Sequence, residues 1–167
     1  MCSSDLYTHP KDAACCHDVQ PGIGGSMIEY GTDTTRAIAS LLVSGTAARY
    51  PDLTFIFSHG GGTMPYLVRR FIGVGEQPKN KANVTPDGFL AAARKFYYDC
   101  AQQMLKPQLY PLKEVVTAER MMFGTDAPYE YAVDVMGEIA KSGFFNKSQL
   151  HTISRGNAEK LFPRFKA

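Results

Sequence analysis

Leu53-Thr54-Phe55-Ile56-Phe57-Ser58-His59-Gly60-Gly61-Gly62 begins as a short run of β-branched and aromatic residues and leaves it through a histidine and three glycines. Pro51-Asp52 precedes the run, so turn formers bound it on both sides, the pattern of a buried strand. Phe96-Tyr97-Tyr98 and Met121-Met122-Phe123 are shorter runs of the same kind, and Leu6-Tyr7-Thr8 reads as the tail of a fourth. Between them the apolar period changes to that of amphipathic helices. Thr34 to Tyr50 sets Ile38, Leu41, Leu42 and Gly45 on one face, and Leu109 to Ala118 carries Leu112, Val115 and Val116. Pro86 stands where a first helical turn tolerates it, ahead of Phe89, Leu90 and Ala93. Tyr131 to Lys141 and Ser148 to Phe162 close the chain; Gly156-Asn157 interrupts the second, where Asn157 is expected to cap a fresh turn. Gly73 to Asn83 reads as an exposed loop inside a single domain. Strand and helix alternate four times, which predicts an α/β fold with a parallel sheet covered by helices.

Each apolar run ends in a residue with chemistry. His9 follows Leu6-Tyr7-Thr8, His59 follows Phe57-Ser58, Asp99 follows Tyr97-Tyr98, and Asp126 follows Phe123-Gly124-Thr125. In a parallel sheet all four emerge at the carboxyl ends of the strands, the edge where barrels and open α/β sheets place their sites. Two imidazoles and two carboxylates there supply donors for a divalent metal, zinc first and manganese as the alternative. One such residue alone more often caps a helix or bonds the backbone, whereas chance would scatter four over both edges. Pro10 after His9, the glycines after His59, and Gly124 and Pro128 around Asp126 shape the exits. Gly60-Gly61-Gly62-Thr63 has neither GxGxxG nor GxxxxGK[ST] spacing, which argues against nucleotide binding.

The 167 residues are 44% hydrophobic and 20% charged, with 18 Lys and Arg against 16 Asp and Glu. That is enough for one domain with a core and too balanced to draw nucleic acid. The best apolar run, Ala37 to Val43, falls short of the roughly 18 residues a membrane span needs. Cys2, Cys15, Cys16 and Cys100 show no CxxC spacing, so a reducing, cytoplasmic setting is the simpler expectation. Cys15-Cys16-His17 reads as loop, since three adjacent side chains cannot all face one ion, and Cys100 as a small buried thiol. Met1 to Leu6 reads as a non-native scar, because Cys-Ser-Ser-Asp-Leu is what one frame of a common sequencing adapter encodes. Native sequence is expected to begin near Leu6 or Tyr7.

Four segments then carry a family resemblance: His9-Pro10; Pro51-Asp52-Leu53 leading into Ser58-His59-Gly60-Gly61-Gly62-Thr63-Met64-Pro65; Phe123-Gly124-Thr125-Asp126-Ala127-Pro128; and Gly156-Asn157-Ala158-Glu159-Lys160-Leu161-Phe162. In that order they resemble the carboxyl-terminal half of the amidohydrolase-related metal-dependent decarboxylases, which include those acting on aminocarboxymuconate semialdehyde, resorcylate and 6-methylsalicylate. Ile28 to Arg36 resembles the methylsalicylate branch most. The resemblance runs from about Tyr7 to the end and implies the C-terminal half of a (β/α)8 TIM barrel, a partial barrel domain over residues 7–167 with about four parallel strands. By position it implies His9 and Asp126 as metal ligands and His59 and Asp126 as catalytic groups. Arg70 would bind substrate, reaching the carboxylate across a homodimer interface; Arg69 and Arg70 also read as solvated helix residues. Asp99 has no transferable role and reads as an anchor for a loop or helix start. Relatives complete the metal shell with a His-x-His or Glu-x-His pair on the first strand. No such pair occurs here, so the chain is expected to be a truncated form.

The implied reaction is non-oxidative decarboxylation of a small aromatic or unsaturated carboxylic acid, 6-methylsalicylate-like, with no nucleic-acid or membrane partner. His59 or Asp126 would relay the proton, and Phe57, Tyr66 or Tyr129 would line the ring pocket. A lactonase or amidohydrolase using metal-bound water draws on the same ligands, and an inactive fragment is the third reading.

Overall fold

Alternation along each strand sorts its side chains onto two faces. The computed structural model describes residues 5–11, 14, 21–84 and 87–166. Four strands, β1 Asp5–Thr8, β2 Thr54–Phe57, β3 Tyr97–Asp99 and β4 Met121–Met122, form one sheet in the order β1-β2-β3-β4. Every pairing is parallel, with Tyr7 opposite Ile56, Ile56 opposite Tyr97, and Tyr98 opposite Met121. The expected α/β half barrel, with all four strands, is therefore present. Asp5 and Leu6, within the stretch read as a scar, pair with Thr54 and Phe55. Met1 to Ser4, Cys15-Cys16-His17 and Pro86 lie outside the described residues.

One face of the sheet carries Phe55, Phe57, Phe96, Tyr98 and Met121 into the main core. Helices cover it. They are α1 Gly25–Val43, α2 Thr46–Arg49, α3 Met64–Gly75, α4 Pro78–Lys81, α5 Gly88–Ala93, α6 Lys106–Val115 and α7 Ala132–Lys141. Ile38 and Leu42 from α1, Met64 from α3, Phe89 from α5, Leu109 and Leu112 from α6, and Val135 and Ile139 from α7 are all buried there. Aromatic edges add to the packing: the Phe57 and Phe96 rings lie 5.2 Å apart and those of Phe55 and Phe96 5.5 Å apart. On the opposite face Ile56, Tyr97 and Met122 form a smaller cluster under Ala158, Leu161 and Phe162. Ala158 and Leu161 belong to α9 Asn157–Leu161, which continues from α8 Lys147–His151 through a π turn Thr152–Gly156, and Phe162 directly follows α9.

Four expectations change in detail. The first helix begins at Gly25 rather than Thr34, and it stops before Gly45, whose φ of 74° is the left-handed conformation that ends helices. Its early turns leave Met27 and Ile28 exposed, so no apolar period marks them. Gly73 to Asn83 is largely helical, not an exposed loop: α3 runs through Gly75, and Asn80 is buried, donating to the Val74 carbonyl at 2.9 Å. Gly75 marks close approach there, since a Cβ on it would stand 3.1 Å from the Phe89 Cβ. Asn157 does not cap the last helix. Its Nδ2 donates to the Ala118 and Met121 carbonyls at 2.8 and 2.6 Å, stitching α9 to the amino end of β4. Phe57 is fully buried in the core and lines no ring pocket, because strand alternation turns it to the helix-covered face.

Candidate metal centre

Beyond each strand the backbone breaks sharply. Ser58 leads into a 3-10 turn, His59–Gly61, in which His59 has φ 52° and Gly60, Gly61 and Gly62 have φ 60°, 80° and 66°. Only glycine tolerates a run of such angles. Space demands it too: a Cβ on Gly62 would lie 2.0 Å from the Gly31 carbonyl oxygen of α1. Among the described residues, the non-glycine positions with positive φ are His59, Gln102 and Asp126. Each follows a different strand, and all three border the same cavity. Concentrated left-handed backbone of this kind is stored strain, held by the structure around it.

That cavity, of about 750 Å³, is where His9, His59 and Asp126 meet. His9 Nε2 lies 3.6 Å from Asp126 Oδ1, and His59 Nε2 lies 4.0 Å from the same oxygen. The two imidazole centroids are 5.6 Å apart. In a flat sheet β1 and β4, three steps apart, would be separated by roughly 14 Å. The left-handed exits at His59 and Asp126 and the reach of the three side chains close that gap.

The donor chemistry fits a divalent metal. One ligand atom from each of His9, His59 and Asp126 falls within 4.8 Å of the others, the two-imidazole, one-carboxylate set that holds zinc or another first-row ion. His9 Nδ1 is 3.0 Å from the Pro10 carbonyl. A carbonyl can only accept, so Nδ1 is the nitrogen that donates there, and Nε2 is the one turned toward Asp126. His59 Nε2 is buried and has no hydrogen-bond partner among the described residues, a costly state for a polar atom unless a ligand satisfies it. The resemblance implied two metal ligands from this chain; the structure brings a third donor, His59, into reach of the same point.

Two polar residues brace the group. Asp99 is buried on β3, and its Oδ1 accepts from the backbone N–H of His59 at 2.8 Å and of Ala101 at 3.0 Å. Tyr7 Oη donates to Asp99 Oδ2 at 2.7 Å. Burial raises the Asp99 pKa, against the lowering effect of these three donors and the nearby His59. Burial, and then the neighbouring Asp99, raise the Tyr7 hydroxyl well above its ordinary value. The anchoring role read for Asp99 is what the geometry displays. Gln102, which no sequence pattern singled out, donates from Nε2 to Asp126 Oδ2 at 2.8 Å.

The remaining candidates fall elsewhere. Arg69 and Arg70 are exposed on α3, and neither borders the cavity of its own chain. Tyr66 and Tyr129 do border it, with 83% and 77% of their surfaces open. Cys100 is fully buried, and burial pushes its thiol far above the ordinary range, so it is no nucleophile.

Against known proteins, the sequence model of the amidohydrolase family matches residues 15–164. A decarboxylase of Aspergillus niger, yanB, is 32% identical over 96% of this chain and 46% of its own length. The 6-methylsalicylic acid decarboxylase of Penicillium expansum is 30% identical over 95% of the chain and 49% of its own. Among solved structures, a dihydroxybenzoic acid decarboxylase from Polaromonas sp. JS666, with bound manganese and the inhibitor 2-nitroresorcinol, superposes with a TM-score of 0.76 at 24% identity. That match covers 96% of this chain and 50% of the other. The chain thus spans about half the length of the relatives it matches.

Proposed function

Since the chain belongs to the amidohydrolase family, we propose that it carries part of the metal site of a non-oxidative decarboxylase for a small aromatic or unsaturated carboxylic acid of the 6-methylsalicylate type. One observation carries the reading: donor atoms from the exits of β1, β2 and β4 converge within 4.8 Å at a cavity large enough for a substituted benzoate. The relatives' activities supply the reaction class.

His9 Nε2 and Asp126 Oδ1 would hold a divalent cation, zinc or, as in the Polaromonas enzyme, manganese. When bound, such an ion supplies positive charge that orients substrate oxygens and offsets developing negative charge. The rest of its shell would come from the half of the relatives' length that this chain does not span. Breaking the bond to the carboxyl carbon releases CO2 and leaves an electron pair on the ring carbon, so that carbon must gain one proton. His59 is placed to carry it: its Nε2 is buried, without a hydrogen-bond partner among the described residues, and beside the ion-holding pair. Tyr66 and Tyr129 border the cavity where the ring would enter. Arg70, exposed on α3, would meet the substrate carboxylate of a second protomer in a homodimer, and the setting would be cytoplasmic.

Incubating the protein with Mn²⁺ or Zn²⁺ and 6-methylsalicylate tests this. The expected products are CO2 and 3-methylphenol in equal amounts. Ring opening of a lactone without CO2 would select the hydrolase instead, and metal uptake with neither reaction would leave an inactive fragment.

A further inference from the structure

Resting on the metal reading above, we propose that Gln102 is a positioning residue: it grips Asp126 Oδ2 so that Oδ1 alone is presented to the ion. The two carboxylate oxygens are already divided. Oδ2 accepts from Gln102 Nε2 at 2.8 Å, while Oδ1 faces His9 Nε2 at 3.6 Å and His59 Nε2 at 4.0 Å. A carboxylate free to rotate would alternate between one-oxygen and two-oxygen ligation. An outer hydrogen bond that fixes it raises metal affinity by restricting that freedom.

The backbone is arranged for this task at both ends of the bond. Gln102 has φ 52° and Asp126 has φ 60°, conformations that side-chain-bearing residues rarely adopt without support. The support is visible. Ala101 N–H donates to Asp99 Oδ1 at 3.0 Å and Gln103 N–H to the Cys100 carbonyl at 3.0 Å, so the turn that carries Gln102 is tied at both flanks. The Asp99 oxygen that accepts from Ala101 also accepts from the His59 backbone. One carboxylate therefore sets the spacing between His59 and the loop that holds Asp126. Tyr7, donating to the other Asp99 oxygen, ties the strand before His9 into the same set. Asp99 and Gln102 thus link the exits of all four strands, and Gln102 is the only one of the two that touches a proposed ligand's side chain.

Titration calorimetry of Mn²⁺ into the intact protein and its Gln102→Gly and Gln102→Ala variants tests the role. Glycine adopts the left-handed turn without the steric cost that a Cβ carries, so Q102G removes the side-chain amide and spares the loop; Q102A keeps the parent's Cβ and its backbone strain as the comparison. Both variants should bind Mn²⁺ about ten- to a hundred-fold more weakly, with the Q102G thermal midpoint of the metal-free protein not lowered. With Co²⁺ substituted, the Q102G visible absorption bands should shift, a readout that loop stability would not move. Q102G binding within two-fold of the parent, with an unaltered Co²⁺ spectrum, would overturn the positioning role while leaving the metal centre standing. A parent protein that binds no Mn²⁺ would overturn the metal centre itself, and the role with it.

Discussion

The two ends of the sheet treat a buried polar side chain in opposite ways. At the amino end Asn157, 3% exposed, spends both amide hydrogens on the Ala118 and Met121 carbonyls. At the carboxyl end His59, 8% exposed, has an Nε2 with no hydrogen-bond partner among the described residues. A satisfied buried group holds a fold together, and an orphaned one costs free energy that selection tolerates where a ligand or proton will use it. The backbone repeats the contrast. Asn157 sits in ordinary helical geometry, whereas His59, Gln102 and Asp126 are left-handed. Stability is invested at one end and chemistry at the other.

The contrast breaks most readily at the carboxyl end. Asp126→Asn keeps a residue that tolerates the left-handed angle but removes the anionic oxygen, so Mn²⁺ affinity should fall by more than ~100-fold, beyond what loss of an outer-shell partner does. In the parent, Mn²⁺ at a hundred times its dissociation constant should stabilise the fold by about 2.7 kcal/mol, and D126N should lose that increment. His59→Asn separates the two roles at this end: turnover should drop by about 10²- to 10⁴-fold, the usual worth of a proton donor, with metal affinity changed far less. Equal losses in turnover and affinity would make His59 a ligand instead.

At the amino end Asn157→Ala should do the reverse. It strands two buried carbonyls and should lower stability by about 1–3 kcal/mol, read as a denaturant midpoint, with Mn²⁺ affinity unchanged. A coupled loss of metal binding would mean that the two ends are not independent.

The smallest effect concerns Asp99, which belongs to both descriptions: buried and bonded like Asn157, yet directly behind His59. Its pKa is raised by burial. A raised carboxyl contributes stability below the ordinary aspartate range that is lost as pH climbs through its folded pKa. Asp99→Asn does not titrate and keeps an acceptor for the His59 and Ala101 amides. Its stability relative to the parent should therefore rise with pH from the ordinary aspartate value, about 3.9, upward. A difference that stays flat across that range would show that the three hydrogen bonds and His59 cancel the effect of burial, and one that falls with pH that they outweigh it.

Much of this was legible in residue order. Leu53 to Ser58 announced a strand because β-branched and aromatic residues between turn formers have few other uses, and His9, His59, Asp99 and Asp126 each announced a strand exit because each terminates such a run. Parallel topology then placed all four on one edge. Local periodicity was silent where the helix face is polar, as in the first turns of α1, and misleading where glycine serves packing rather than a turn, as at Gly75 against Phe89. Gln102 left no mark, since a single glutamine after a strand carries no pattern.

By itself the amino-acid order determined which elements form and which end of the sheet bears the reactive groups, because strand period and turn chemistry act between near neighbours. Only the tertiary structure decided that His9 and Asp126, 117 positions apart, share a point in space, that the groups Asp99 anchors are the His59 and Ala101 amides, and that Gln102 divides the Asp126 oxygens. Those outcomes depend on left-handed exits maintained by distant hydrogen bonds, which no stretch of local sequence encodes.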